Sequence, residues 1–508
     1  MIDDRAVRDL ELSEVSQSIG STTLWGTETF LNTLKLPTND YKTLKQRQLP
    51  IMALRLDATF RNELTSSLKK INTQHIDDII KEEDSRVTES VEQILWKPAS
   101  IAHVLNNSSV WLNCLIFWKT ILMPCIAVLM PIVALVVPYI FLRIKQSNVD
   151  MSAYLERMRG VIMQQITIPV ALRSQNNNDI LGFLLERLFL GITVATFIAS
   201  IWNQITPAIH LRSIWFELEE RGTSCLSLIR WLCTVRDTCK TPAYKEVVKR
   251  VHIALEPVEH LLSGGGVAAY AYFRNHRDVL SRIRNLVGEL DVILSIASLR
   301  RICFSKYGNK TAIVNLRHPL LLNCIPNTIA NTTNHIILTG PNRGGKSTFL
   351  KAYALATLTA QTWGFCWAKS ASVPLYSSIF ISLTPAPVLG KTSTFEAEID
   401  AASAICACSD TPQFVMMDEI FHSTNAYDGT AATKIFLDRL YSKQDVTSII
   451  STHYHEVAVG ATGVTQLMMN TGSDLKHSYK VVSGVNKHSS VMEILQERGL
   501  CVPTVKQS

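Results

Sequence analysis

The stretch HIILTGPNRGGKST, residues 335–348, decides the fold of the last two-fifths of this 508-residue chain. A short apolar run, Ile336 to Leu338, leads into GxxxxGK[ST], and a helical pattern continues to about Ala360. A strand, a glycine-rich turn and a helix in that order form a cradle for phosphates. The glycines let backbone N–H groups close around the anion, and the helix N-terminus adds its dipole. The predicted binding loop is Gly340, Pro341, Asn342, Gly344, Gly345, Lys346, Ser347 and Thr348. Lys346 is expected to reach the β- and γ-phosphates, and the Ser347 hydroxyl to ligate Mg²⁺.

Working outward, residues 414–419 read FVMMDE, an apolar strand ending in two acids. Asp418 is the expected second Mg²⁺ ligand, and Glu419 the group that orients or deprotonates an attacking water. A further strand-like run, Thr447 to Ile450, ends in STHYH, residues 451–455, where His453 is placed to contact a γ-phosphate. From Ile302 onward, short apolar runs alternate with helical patterns, the signature of a parallel α/β sheet.

These motifs, in this order, resemble the MutS family, whose ATPase is related to the ABC type. GPNRGGKST is similar to that family's P-loop, with Arg343 where Met is common. Residues 393–398, STFEAE, resemble its STF-x-x-E signature; Asp418 to Gly429 resemble Walker B and the D-loop; Ser451 to Tyr454 resemble the switch histidine segment. The likeness reaches upstream to Arg317-His318-Pro319 and to the lever-like Glu289 to Ser295, and downstream to Ser489-Ser490, where a glycine of the family pattern is lost. The resemblance implies an ATPase using ATP and Mg²⁺, with Glu419 and His453 catalytic and Ser347 and Asp418 on the metal. It also implies a homodimer through the ATPase domains, in which Ser393 and Thr394 of one subunit approach the nucleotide of the other, and DNA as a partner. None of the 17 Phe is followed two residues later by Glu, the family's mismatch-reading pattern, which argues against recognition of a mispaired base.

The chain before this region reads as helical, with one departure. Ile121 to Leu142 holds 22 residues without a charge. At 1.5 Å per residue that is roughly 33 Å, enough to cross a hydrocarbon core of about 30 Å. A second apolar run, Leu188 to Trp202, is shorter and needs flanking residues to span. The expected membrane contacts are therefore 111–142, with 181–205 as a second segment. Arg143, Lys145, Arg157, Arg173 and Arg187 on the intervening loop run against a simple hairpin by the positive-inside rule. Core helices are the competing reading of both runs.

Composition fits this picture. The chain is 47% hydrophobic and only 18% charged, below the usual ~25%, while its net charge of +7 is mild. The cysteines form no CxxC pair, so neither a zinc cluster nor a disulfide framework is expected. The first residues show no signal-peptide pattern. The expected fold class is therefore mixed: a C-terminal α/β P-loop NTPase of ABC/MutS type with a parallel-rich sheet, preceded by an α-helical core and lever region with one or two transmembrane helices. The expected segments are 1–108 helical, 109–207 apolar insertion, 208–301 helical lever and 302–508 ATPase. The expected location is a membrane, with the ATPase on its cytosolic or nucleoplasmic side. Two other functions compete: an ABC-like transport or mechanical ATPase not acting on DNA, and a nucleotide-binding structural protein without turnover.

Overall fold

The computed structural model describes residues 2–81, 91–96, 105–106, 108–145, 150–157, 180–330, 332–384, 394–471, 477–486 and 498. The chain forms two compact units, each assembled from separate stretches. One comprises Met1–Lys70, Thr234–Ile253 and Arg282–Ser508; the other comprises Ile71–Cys233 and Ala254–Ser281.

The first unit begins with five helices, α1 (Asp4–Asp9), α2 (Leu12–Ser18), α3 (Leu24–Leu34), α4 (Tyr41–Leu56) and α5 (Ala58–Lys69). Most open on an acid or a hydroxyl: the Asp3, Thr23, Asp40 and Asp57 side chains each accept a backbone N–H at a helix N-terminus. Leu10, Phe30, Leu44 and Ile51 of this segment are buried. Gln48 of α4 donates to the carbonyls of Ser305 (3.0 Å) and Gly364 (2.6 Å), and Phe30 stacks on Trp363. The N-terminal helices are thus part of the same core as the α/β region.

The second unit contains α6 (Thr73–Lys81), α7 (Ser109–Phe117), a π-helical turn (Trp118–Leu122), α8 (Met123–Lys145), most of α9 (Ile180–Thr238) and α11 (Gly266–Asn275). The polar stretch 66–92 reads as a solvated helix pair, but α6 buries Ile76 and Ile79 and packs against α11. Its isoleucines lie three apart and so form one apolar face. The second apolar run is also not a separate element. It belongs to a 59-residue helix, α9, that continues through Pro207. Buried Leu218, Leu228, Ile229 and Leu232 make the later part of α9 a core helix. There α9 and α11 approach so closely that a Cβ on Gly222 would lie 1.7 Å from the Gly266 carbonyl oxygen. Glu219 caps α11, accepting from Gly266 N (3.0 Å) and Val267 N (2.8 Å).

Ser109 to Met130 is long and apolar enough to cross a membrane by length and composition, with mean hydropathy 1.9 and only 6% of it buried. Leu129, Ile132, Val133 and Phe141 on the same helical stretch are exposed.

Two further helices, α10 (Lys245–Leu255) and α12 (Arg277–Ser298), precede the sheets, and α12 contains Glu289 to Ser295. The main sheet has six strands: β5 (His335–Thr339), β8 (Ser378–Ser382), β9 (Gln413–Met417), β10 (Val446–Ser451), β11 (Thr465–Thr471) and β12 (His477–Ser483), in the order β12-β11-β5-β10-β9-β8. All pairings are parallel except β11 with β12. The sheet is therefore mixed but parallel-rich. Strands β1 (Cys303–Phe304), β2 (Lys306–Tyr307), β3 (Ala312–Leu316), β4 (Asn327–Ile329), β6 (Phe365–Cys366) and β7 (Ser370–Val373) form two smaller sheets. Helices α13 (Lys346–Ala360), α14 (Thr394–Ala407), α15 (Ala426–Tyr441) and α16 (His455–Gly460) complete the unit. Strands β5, β9 and β10 are buried almost throughout, as central parallel strands require.

Candidate nucleotide site

The site lies at the C-terminal ends of β5, β10 and β9, adjacent strands of the parallel sheet. Ligands of such sheets bind there, where the connecting loops meet. The turn between β5 and α13 carries two left-handed residues, Arg343 (φ 63°) and Gly345 (φ 95°). The φ of Gly345 is one that glycine adopts without strain, and a Cβ there would also crowd the Tyr479 ring at 3.1 Å. Gly344 N donates to Pro341 O at 3.1 Å, closing the loop below Asn342.

Lys346 begins α13 and is 4% exposed. Its ammonium donates to the Gly340 carbonyl at 2.9 Å and lies 3.7 Å from the Glu419 carboxylate. Burial pulls its pKa below the ordinary value, opposed by Glu419 and Asp418. A desolvated cation of this kind favours an anion beside it. Ser347 donates to Asp418 Oδ2 at 2.6 Å, so hydroxyl and carboxylate converge on one point. Oxygen donors of this type suit Mg²⁺, which is bound through one or two protein oxygens together with substrate phosphates. Among the described residues no group of three or more His, Cys, Asp or Glu could hold a metal by itself.

Glu419 follows β9 in a left-handed conformation (φ 51°). Its Oε1 meets His453 Nε2 at 2.5 Å, and this bond, with burial opposing, holds the carboxyl below its ordinary range. Glu419 is therefore ionised throughout the neutral range and available as a base. The three acidic or basic residues expected from separate motifs, Lys346, Glu419 and His453, form one connected line.

A cleft of about 730 Å³ opens beside them. It is lined by the polar Asn342, Lys346, Ser347, Thr348 and Glu419 and by Leu320, Leu321, Leu322, Ile325 and Tyr479. The described residues that line it do not include Gly340, Gly344, Thr394, Asp418 or His453; Asp418 is joined to it through Ser347 and His453 through Glu419. Thr394 opens α14, whose Glu398 accepts a hydrogen bond from Ser423 in the loop after Glu419 (2.9 Å). Ser393 lies outside the described residues. The apolar lining of the cleft was not legible in the sequence. Asn327 builds it, donating to Tyr479 O (3.1 Å) and accepting from Val481 N (2.8 Å), across a separation with no local pattern.

Residues 336–508 match MutS domain V. That match lies within the C-terminal α/β region. The chain is also similar to proteins named DNA mismatch repair protein MutS. That of Solibacter usitatus is 30% identical over 246 residues, 44% of this chain and 28% of the relative. That of Petrotoga mobilis is 27% identical over 286 residues, 52% of this chain and 35% of the relative. That of Lactobacillus helveticus is 31% identical over 193 residues, 35% of this chain and 22% of the relative. The chain thus spans about a third or less of the length of these curated relatives.

Proposed function

We propose that this protein is a Mg²⁺-dependent ATPase of MutS type, and the observation that carries the reading is the convergence of Lys346, Ser347 and Glu419 on the cleft, with Asp418 bonded to Ser347 beside it. The polar lining residues suit a triphosphate and the apolar ones suit a base. Mg²⁺, held by Ser347 and Asp418, would neutralise phosphate charge. Lys346 places its ammonium against the transferred phosphate, where fixed positive charge stabilises a phosphoryl-transfer transition state. Glu419, kept ionised by His453, accepts the proton of the attacking water, and His453 holds that carboxylate in place. Gly340, Pro341, Asn342, Gly344, Gly345 and Thr348 supply the backbone cradle.

The finer reading is a homodimer with composite sites, to which Ser393 and Thr394 come from the opposite subunit, and with DNA as the partner that nucleotide binding regulates. Similarity to the mismatch repair proteins supports DNA, mismatched or branched DNA included. The helical segments of 111–142 and 181–205 would tether the protein to a membrane, their support being the exposed apolar side chains of α8 and early α9. That same exposure is what favours the second reading, a membrane mechanical ATPase indifferent to DNA.

Mixing a Ser393→Ala chain with a Lys346→Ala chain tests the composite site. Recovery of turnover in the mixture is expected, and a mixture as inactive as either parent would contradict it. Stimulation of turnover by DNA, across salt concentrations, separates the DNA reading from the mechanical one.

A further inference from the structure

Strand β10 lies between β5, which leads into the phosphate loop, and β9, which ends in Asp418. Its last residue, Ser451, pairs in register with Leu338 of β5 and is fully buried. The Ser451 hydroxyl donates to Asp418 Oδ1 and accepts from the Glu419 backbone N–H at 3.0 Å. A serine hydroxyl has a single proton to donate, so Ser451 has none left for a phosphate or water. It touches the two acids of the site without being free to touch a ligand.

Each bond has a separate consequence. Asp418 has two oxygens, and Ser451 takes Oδ1 while Ser347 meets Oδ2 at 2.6 Å. Oδ1 is thereby turned to Ser451 and Oδ2 to the Ser347 hydroxyl, where the two would meet a divalent cation. The second bond ties down the amide of Glu419, whose left-handed φ of 51° is a conformation that residues other than glycine seldom adopt. That turn is what aims the carboxylate back at Lys346 and His453.

We propose that Ser451 is a positioning residue that selects which oxygen of Asp418 faces the divalent cation and fixes the backbone from which Glu419 acts. This inference rests on the Mg²⁺–ATP reading above. Partners behind a metal ligand affect metal affinity by about 10- to 100-fold when removed, and Ser451→Ala is expected to fall in that range.

The test uses the full chain and a fluorescent ATP analogue, titrated with Mg²⁺. Ser451→Ala should bind the analogue without Mg²⁺ as the wild type does, because Lys346 is untouched. Its Mg²⁺-dependent tightening should shift to about tenfold or more higher Mg²⁺. In an Asp418→Asn background, Ser451→Ala should cause no further shift, since the effect passes through Asp418. If the alanine chain does not fold, the cycle is run with Ser451→Cys, whose thiol fills the space but donates weakly. A Mg²⁺ response indifferent to Ser451, or an equal loss with and without Asp418, would overturn the proposal alone. A wild-type chain that takes up no nucleotide would overturn it together with the ATPase reading.

Discussion

Lys346 is a buried ammonium whose nearest opposite charge, Glu419, lies 3.7 Å away, and its pKa is depressed by burial. A phosphate cluster would compensate that charge, so nucleotide should stabilise the fold by mass action, about 2.7 kcal/mol at a hundredfold excess over Kd. Thermal unfolding with and without ATP measures this. The wild type should show a rise in Tm and Lys346→Ala none; an equal rise in both would remove Lys346 from phosphate binding. Glu419 gives a pH prediction. Its folded pKa lies below the ordinary 4.5, so its bond to His453 contributes stability that is present above 4.5 and lost as pH falls through the lower folded value. Denaturant titrations of wild type and Glu419→Gln should therefore differ by a constant amount at neutral pH and converge only below 4.5. Convergence near neutrality would show that the pair does not act as described. Lys346, Ser347, Asp418 and Glu419 were legible in the sequence because each sits in a local motif whose spacing the chemistry dictates. Ser451 stood inside such a motif, yet nothing local says that its hydroxyl faces Asp418; that follows only from β10 lying between β5 and β9.

At the scale of elements, periodicity located the phosphate-loop strand, its helix and the strand before Asp418, because buried parallel strands and an amphipathic helix leave different patterns. It merged less well where packing overrides pattern. The run from Leu188 to Trp202 looked separate because its composition changes near His210, but a helix continues across a change from exposed to buried surroundings without a break, and α9 does so. Asp291 of α12 is a similar case. It is fully buried and accepts from Thr22 N (3.0 Å), Thr23 N (2.7 Å) and Thr23 Oγ1 (2.7 Å), holding the Thr23 cap of α3 in place from far along the chain. Asp291→Ala would leave those donors without their acceptor, at a cost of about 1–3 kcal/mol. Urea unfolding checks this, and a change within about 0.5 kcal/mol, the range of ordinary surface substitutions, would show that the cap is dispensable.

For the whole molecule, residues 1–70 fold with residues 282–508 as one unit, although two long stretches of sequence separate them. Sequence order suggested successive segments; the buried contacts of Gln48, Phe30 and Asp291 show why order is a poor guide here. The proposed membrane tether is tested on the intact chain. Leu129 and Val133 are exposed on α8, and an arginine costs about 2.5–3.5 kcal/mol at a bilayer centre. The wild type should resist carbonate extraction, and Leu129→Arg with Val133→Arg should release it; clean release of the wild type would make this helix a protein-binding rather than a membrane element. The central claim, that one connected line of residues from Lys346 to His453 hydrolyses ATP, is tested most directly by phosphate release. The full-length chain with Mg²⁺ and ATP should turn over, while Glu419→Gln should bind ATP and retain it with release reduced by about 100-fold or more. Equal release by the two chains would contradict the account.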